Sequence, residues 1–327
     1  MSRQYPFIQN ISLVGGKGAI MPDHVMRASI IENGDLSGTK LMMSLVDRNA
    51  YYRDDLKLGN GVEIEVTYGD PDGRGDDVFI ETFVISNAPY IGELIEISAF
   101  EKNCLQLKQV SSRTQFFVDQ SPASIIRTLA PNVKINADTF DKPGTYHLNP
   151  GASPSRLIRN MARDYGAMVF YSRGTLYFKD ITNLANQAPV MTFEHKNPQA
   201  AINMAKLNII NQSMMYQRTL NREYMQWDTV AGLTKSGKPD NGSVMITSGT
   251  AGALDNQNDA IIPMIDCELF GNSSFAPGIV VNVVLHLGIP DKVIDEAVPE
   301  VQIINRVTHH QLGSRYLCRV ELGVLNK

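Results

Sequence analysis

The stretch 152–178 constrains this chain most, because it spells a capped helix that runs straight into a hairpin. Ser153 stands where a hydroxyl accepts a hydrogen bond from the free amides of a first helical turn. Pro154 follows with a preset φ at a position that needs no amide donor. Leu157, Ile158, Met161, Ala162 and Tyr165 recur on one helical face, while Arg156, Arg159, Asn160, Arg163 and Asp164 fall mainly outside it. Gly166 ends the helix, and Phe170-Tyr171-Ser172-Arg173-Gly174-Thr175-Leu176-Tyr177-Phe178 reads as two strands about a turn. A helix with one apolar face must pack that face on something.

The same device occurs 32 residues earlier at Ser121-Pro122-Ala123-Ser124-Ile125-Ile126-Arg127-Thr128-Leu129-Ala130, and Pro131 stops it. A solenoid needs about three or more repeats to bury a continuous core. Two copies therefore read as two helices of one small α/β module, over roughly 111–200.

Both flanks of that module are strand-like. Val62, Ile64, Val66 and Tyr68 alternate with Glu63, Glu65 and Thr67, the period-2 pattern of a strand with one wet face. Further apolar runs at 12–14, 40–46, 78–85 and 92–100, separated by Gly-, Pro- and Asp-rich turns, predict an antiparallel barrel or sandwich over about 1–110. Runs at 279–287, 301–308 and 316–322 are rich in β-branched residues and give a second β unit within 201–327. Inside it, 232–260 is dominated by Gly, Ser, Asn, Asp, Lys and Thr. That stretch is expected to be a long polar loop, the best place for disorder or a partner contact. The fold class is α+β, mainly β.

Thirty Lys and Arg against 34 Asp and Glu leave a net charge of −4, which argues against a dominant nucleic-acid or anionic-membrane surface. No apolar run reaches the ~18 residues of a membrane helix or resembles a signal peptide, so a soluble chain made in a cytoplasm is expected. Cys104, Cys267 and Cys318 are far apart without Cys-x-x-Cys spacing, and are expected to be buried free thiols.

Several stretches invite a chemical reading. Asp70, Asp72, Gly75 and Glu81 match calcium-loop positions, but Arg74 would oppose the cation and strands flank the run, so a solvated hairpin turn is expected. Gly15-Gly16-Lys17-Gly18 lacks the upstream glycine and the Ser/Thr of a phosphate loop and reads as a β-turn. His309 and His310, adjacent on a strand, point to opposite faces and cannot chelate one ion. No acid follows closely to orient either ring, and His24, His147, His195 and His286 show no metal spacing. Asp54-Asp55 and Asp76-Asp77 lie in turns, Gly-x-Ser-x-Gly is absent, and Cys104 has no neighbouring His. No catalytic, cofactor or metal site is expected.

The order of the motifs resembles a family. Asp47-Arg48 and the 56–64 step through Gly59 come first, then Ser121-Pro122, then the helix of Ser153, Pro154, Leu157 and Gly166 leading into 170–180. Pro277-Gly278-Ile279-Val280-Val281 and Ile304-Asn305-Arg306-Val307-Thr308-His309 with Tyr316 close the series. In this order they resemble the baseplate hub proteins of tailed bacteriophages, which are related to the N-terminal hub part of type VI secretion spike proteins. The resemblance implies two tail-tube-like antiparallel β-barrels, at 1–110 and 201–327, with the α/β module of 111–200 between them. It implies a homotrimer whose six barrels form a ring adapting a six-fold tail tube to a three-fold spike. A tail tube or distal tail protein would sit on one side and a spike or tip protein on the other. Genomic DNA would pass through without specific binding, in a virion tail baseplate assembled in the host cytoplasm without stable membrane insertion. Gly59, Ser121, Pro122, Ser153, Pro154, Leu157, Gly166, Pro277, Gly278, Val307, His309 and Tyr316 are then structural positions. The chain ends soon after its final strand, so a piercing tip or cell-wall enzyme is expected on a separate chain.

Two other classes compete. A tail-associated cell-wall hydrolase needs paired carboxylates or a metal triad, which no spacing supplies. A receptor- or carbohydrate-binding β protein needs aromatic platforms, and one tryptophan, Trp227, among 8% aromatic residues offers little for that.

Overall fold

A computed structural model describes residues 6–16, 18–69, 78–210, 220–250, 252–288 and 298–326. The first β unit is an antiparallel ladder of six main strands in the order Ile8–Leu13, Glu63–Gly69, Val78–Asn87, Leu94–Glu101, Lys40–Val46 and Val25–Asn33. The alternation expected at 62–68 is realised. Ile64, Val66 and Tyr68 enter one core with Ile30, Leu41, Met43, Phe83, Ile85, Ile95 and Ile97, while Glu63, Glu65 and Thr67 face the other way.

The last β unit closes on itself. Val301–Leu312 pairs Val280–Leu285, and the ladder continues through Met191–His195, Asn203–Ile209, Ile261–Phe270 and Arg315–Leu325 back to Val301–Leu312. This six-stranded barrel leaves no edge unpaired. Met191–His195 runs parallel to both of its neighbours; the other pairings are antiparallel. Val301–Leu312 also pairs Val25–Asn33, so one long strand belongs to the barrel and joins it to the first unit.

Between them lies the module. Helices Lys102–Lys108, Pro122–Leu129 and Pro154–Asp164 pack on a sheet in which Lys134–Ala137 runs parallel to Thr175–Asp180 and Ala167–Ser172 antiparallel to it. A two-stranded ribbon, Gln115–Gln120 with Gly144–Leu148, completes it. The core holds Cys104, Leu107, Ile125, Ile126, Ile158, Met161, Leu176 and Phe178. The helix at 102–108 thus packs into the module although it precedes residue 111. Met191–His195 joins the last barrel although it precedes residue 200, because its backbone finds a ladder partner there.

Leu157, Ile158, Met161, Ala162 and Tyr165 are buried as their spacing predicts. Gly166 takes φ +60° just past the helix, and a Cβ there would stand 3.0 Å from Asp259 Oδ2. The two caps differ. Ser121 Oγ accepts from the Ser124 amide at 3.4 Å, but the Ser153 hydroxyl makes no amide bond and meets the buried Ser155 hydroxyl at 3.2 Å instead. The expected side-chain cap at Ser153 is therefore corrected: a second hydroxyl competes for the first. Ser121→Ala is expected to cost about 0.5–1 kcal/mol and Ser153→Ala under about 0.5 kcal/mol. Urea unfolding of the two variants side by side checks this, and a larger loss at Ser153 would contradict it.

The stretch 232–260 also departs from expectation. Its described residues, all but 251, carry regular structure: Gly232–Ser236 and Ser243–Met245 flank Glu223–Asp228 in a three-stranded sheet, and the short helix Ala253–Asn256 follows. Its polar composition reflects how it is held. Asp164, expected among the residues mainly outside the apolar helical face, lies seven positions after Leu157 and so shares its face; it is 8% exposed and accepts from the Gly249 amide (3.1 Å), Gln257 Nε2 (3.2 Å) and Tyr146 Oη (3.0 Å). Hydrogen bonds to a carboxylate take the place of an apolar contact. The Asp70–Asp77 turn and Lys17 lie outside the described residues. Gly15 and Gly16 form a positive-φ turn.

A buried polar junction as the candidate functional site

Four elements meet around His309. Val301–Leu312 turns Val307 and His309 inward, both fully buried, and points His310 the other way, where its Nδ1 pairs with Ser29 Oγ at 2.7 Å. Period-2 geometry thus separates the two imidazoles, as the sequence required. Arg315–Leu325 brings Tyr316 Oη to 2.7 Å and Cys318 Sγ to 3.3 Å from His309 Nδ1. Phe7 stacks over Tyr316 and His309, with centroids 4.4 and 5.2 Å away.

The acid that sequence spacing did not find is Glu32. It lies in Val25–Asn33 directly across from Val307, fully buried, with Oε2 3.4 Å from His309 Nε2. Its partner is 277 residues away in the chain, so local spacing is silent. The signal available was its place on the core face of an alternating strand, two residues after buried Ile30.

The hairpin of the module supplies the fourth element. Arg173 and Gly174, with φ of +52° and +74°, form a two-residue turn of the type that matches strand twist. At its tip Ser172 Oγ donates to Glu32, Arg173 Nη2 reaches Glu32 Oε2 at 3.4 Å and donates to the Phe275 carbonyl at 2.7 Å, and the Gly174 amide donates to Glu81 Oε1 at 3.1 Å. The guanidinium lies 4.3 Å from the Phe79 ring centre. Tyr68 Oη donates to the other oxygen of Glu81.

Charge states follow from these contacts. Burial pushes Glu32 up, but the Arg173 charge and the His309 hydrogen bond outweigh it and hold the carboxyl at about 2. Burial opposes a charged His309, yet Cys318 and Glu32 outweigh it and raise the imidazole to about 9. Burial and the Glu32 and Glu101 charges push Glu81 up to about 8, against hydrogen bonds from Tyr68 and Gly174. At neutral pH Glu32 is ionised between two cations, and Glu81 is largely a neutral acid.

His309, Tyr316 and Val307 thus come together at the junction. Gly278 donates its amide to the Ile304 carbonyl at 2.8 Å and takes φ +80°, where a Cβ would fall 2.7 Å from Phe170 Cζ, and buried Pro277 precedes it. Gly59 holds a turn of the first unit, its carbonyl accepting from the Val62 amide at 3.2 Å. Ser121, Pro122, Ser153, Pro154, Leu157 and Gly166 stay with the helices of the module. The three cysteines are buried and free.

A second concave site lies where the module meets the 223–257 segment. It is a cleft of 430 Å³ lined in part by Tyr146, His147, Leu157, Asn160, Arg163 and Asp164. Among the described residues that line it Asp164 is the one carboxylate, and both of its oxygens are engaged by hydrogen bonds. Among the described residues no group of three or more His, Cys, Asp or Glu side chains could hold a metal ion, and no helix is long and apolar enough to cross a membrane.

No protein-family model matches the chain, and no curated protein matches it. Solved structures do. A tail protein from Neisseria meningitidis aligns over 96% of both chains at 16% identity with a TM-score of 0.66. The 43 kDa tail protein of prophage MuSo2 from Shewanella oneidensis aligns over 96% of this chain and 97% of its own, at 13% identity and a TM-score of 0.64. An E. coli component of the type VI secretion system, itself structurally similar to the T4 bacteriophage tail proteins gp27 and gp5, aligns over 97% of this chain and 77% of its own at 10% identity, with a TM-score of 0.57. At such identities the likeness is one of fold, and along nearly its whole length this chain has the fold of phage tail proteins and of the type VI secretion component that resembles them.

Proposed function

We propose that the chain is a structural baseplate hub of a phage tail, without catalytic turnover. In this reading it forms a trimeric ring that adapts a six-fold tail tube to a three-fold spike and leaves a channel for DNA. The observation that carries the proposal is the edge-to-edge joining of two six-stranded β units through Val25–Asn33 and Val301–Leu312. Two such units per subunit, arranged by a three-fold axis, present six strand-built units to a six-fold neighbour. A tube or distal tail protein would meet one face and a spike or tip protein the other. The solved tail proteins with the same fold over 96% of this chain support a place in a virion tail.

Assembly in a host cytoplasm and passage of DNA without specific binding belong to the same reading. The net charge of −4 suits it, because a chain with clustered cations would grip phosphates. With a subunit of 36.2 kDa, native mass spectrometry is expected to show a species near three times that mass, about 109 kDa, alone or with neighbouring tail proteins. Electron micrographs should show a ring with a central hole. A stable monomer in every mixture, or DNA affinity that falls steeply with salt, would overturn the ring adaptor.

A further inference from the structure

The hairpin tip at Ser172, Arg173 and Gly174 directs its polar groups away from its own module. The Ser172 hydroxyl and the Arg173 guanidinium go to Glu32 of the first unit, the guanidinium also to the Phe275 carbonyl of the last, and the Gly174 amide to Glu81 of the first. Arg173 holds left-handed backbone as a non-glycine residue, and its buried Nε has no hydrogen-bond acceptor among the described residues. The seated state is therefore imperfectly satisfied. The apolar core of the module closes behind the tip on Tyr171, Leu176 and Phe178, so that core does not need the tip in place.

On the far side of Glu32 stands the nucleophilic end of the cluster. Arg173 and His309 share Glu32 Oε2, and Cys318 Sγ lies 3.3 Å from the other nitrogen of His309. Among the described residues, Glu32, Glu81 and Tyr68 of the first unit, Arg173 of the tip, and His309, Tyr316 and Cys318 of the barrel are titratable groups around the tip, with Glu101 acting on Glu81 from the start of the 102–108 helix.

We propose that the hairpin tip is a withdrawable clasp: seated, it fixes both β units and the module as one body, and withdrawn, it opens the junction and admits thiol-reactive electrophiles to Cys318. The other two thiols are internal references. Cys104 is buried in the module core with Tyr171, and Cys267 in the barrel core with Cys318, so they report any opening of either core as a whole. With N-ethylmaleimide, the sulfur bonds one alkene carbon, the neighbouring carbon takes the proton, and nothing leaves. Ser172→Ala removes no charge, so faster labelling in that variant reports opening rather than electrostatics.

The test is site-resolved labelling of the full chain, read by mass spectrometry of its peptides. Arg173→Met is expected to speed labelling of Cys318 about tenfold while Cys104 and Cys267 keep their rates, as local opening requires. Ser172→Ala, which removes one hydrogen bond and no charge, is expected to move the same rate in the same direction by less. Should Arg173→Met fail to fold by circular dichroism, Ser172→Ala decides alone. Unchanged Cys318 labelling, or a parallel rise at all three cysteines, would overturn the clasp, because the tip would then be an ordinary part of one cooperative core.

Discussion

Glu32→Ala is expected to lower the unfolding free energy by about 3–5 kcal/mol, because it leaves two cations buried without their carboxylate. Arg173 and protonated His309 both rest on Glu32, and Arg173 has only the Phe275 carbonyl and the Phe79 ring as further described partners. Exposed pairs set the contrast. Lys206–Glu268 keeps its lysine 75% exposed, and breaking it should cost less than about 1 kcal/mol. The pH dependence has a fixed sign. Glu32 titrates at about 2 in the folded chain against an ordinary 4.5, so its contribution is complete above 4.5 and is lost as pH falls through 2. His309 is raised from 6.5 to about 9, so its contribution is complete below 6.5 and is lost as pH rises through 9. Glu81, raised from 4.5 to about 8, also loses its contribution as pH rises through that value. Stability should therefore fall as pH rises from 4.5 to 8 through Glu81 and from 6.5 to 9 through His309, and Glu32→Ala should flatten the acid limb. Urea unfolding across a pH series reads both effects, and a loss under about 1 kcal/mol would mean that water already solvates the junction.

How much of this was legible in the sequence depends on the range of each contact. The 154–164 helix, its end at Gly166 and the hairpin after it are set by residues within a few positions of one another, and periodicity finds such features. The strand alternation at 62–68 is equally local. The junction is different. Glu32, Arg173 and His309 come from three units and meet only because Val25–Asn33 pairs with Val301–Leu312. A histidine without a nearby acid in sequence looked bland, although Ile30 and Glu32 share an inward face that calls for a buried partner. The 223–257 segment misled for a related reason. Composition reports how little apolar surface a segment carries, but this one is held by its own backbone ladder and by Asp164. The missing cap at Ser153 is a smaller case: spacing placed the serine correctly, and a competing hydroxyl two residues on redirected it.

Leu157→Ala is expected to cost about 2–5 kcal/mol, through lost transfer free energy and the cavity left behind. Where in that range it falls follows from its surroundings. Leu157 is 8% exposed and borders the cleft that Tyr146, Asn160 and Asp164 also line, whereas its neighbour Ile158 is fully enclosed. A hole opened beside a cleft can take up water or collapse toward it, so Leu157→Ala should sit near the lower end. Ile158→Ala, with no such outlet, should sit near the upper. Leu157 and Asp164 lie seven residues apart, on the same helical face, so the loss at Leu157 also loosens the wall from which Asp164 holds the 223–257 segment. Unfolding curves for Leu157→Ala, Ile158→Ala and Ser153→Ala under one set of conditions separate these cases. A neutral Leu157→Ala, or one as mild as Ser153→Ala, would show that this helix face does not anchor the module. Equal losses at Leu157 and Ile158 would show that the cleft is closed to water at that end.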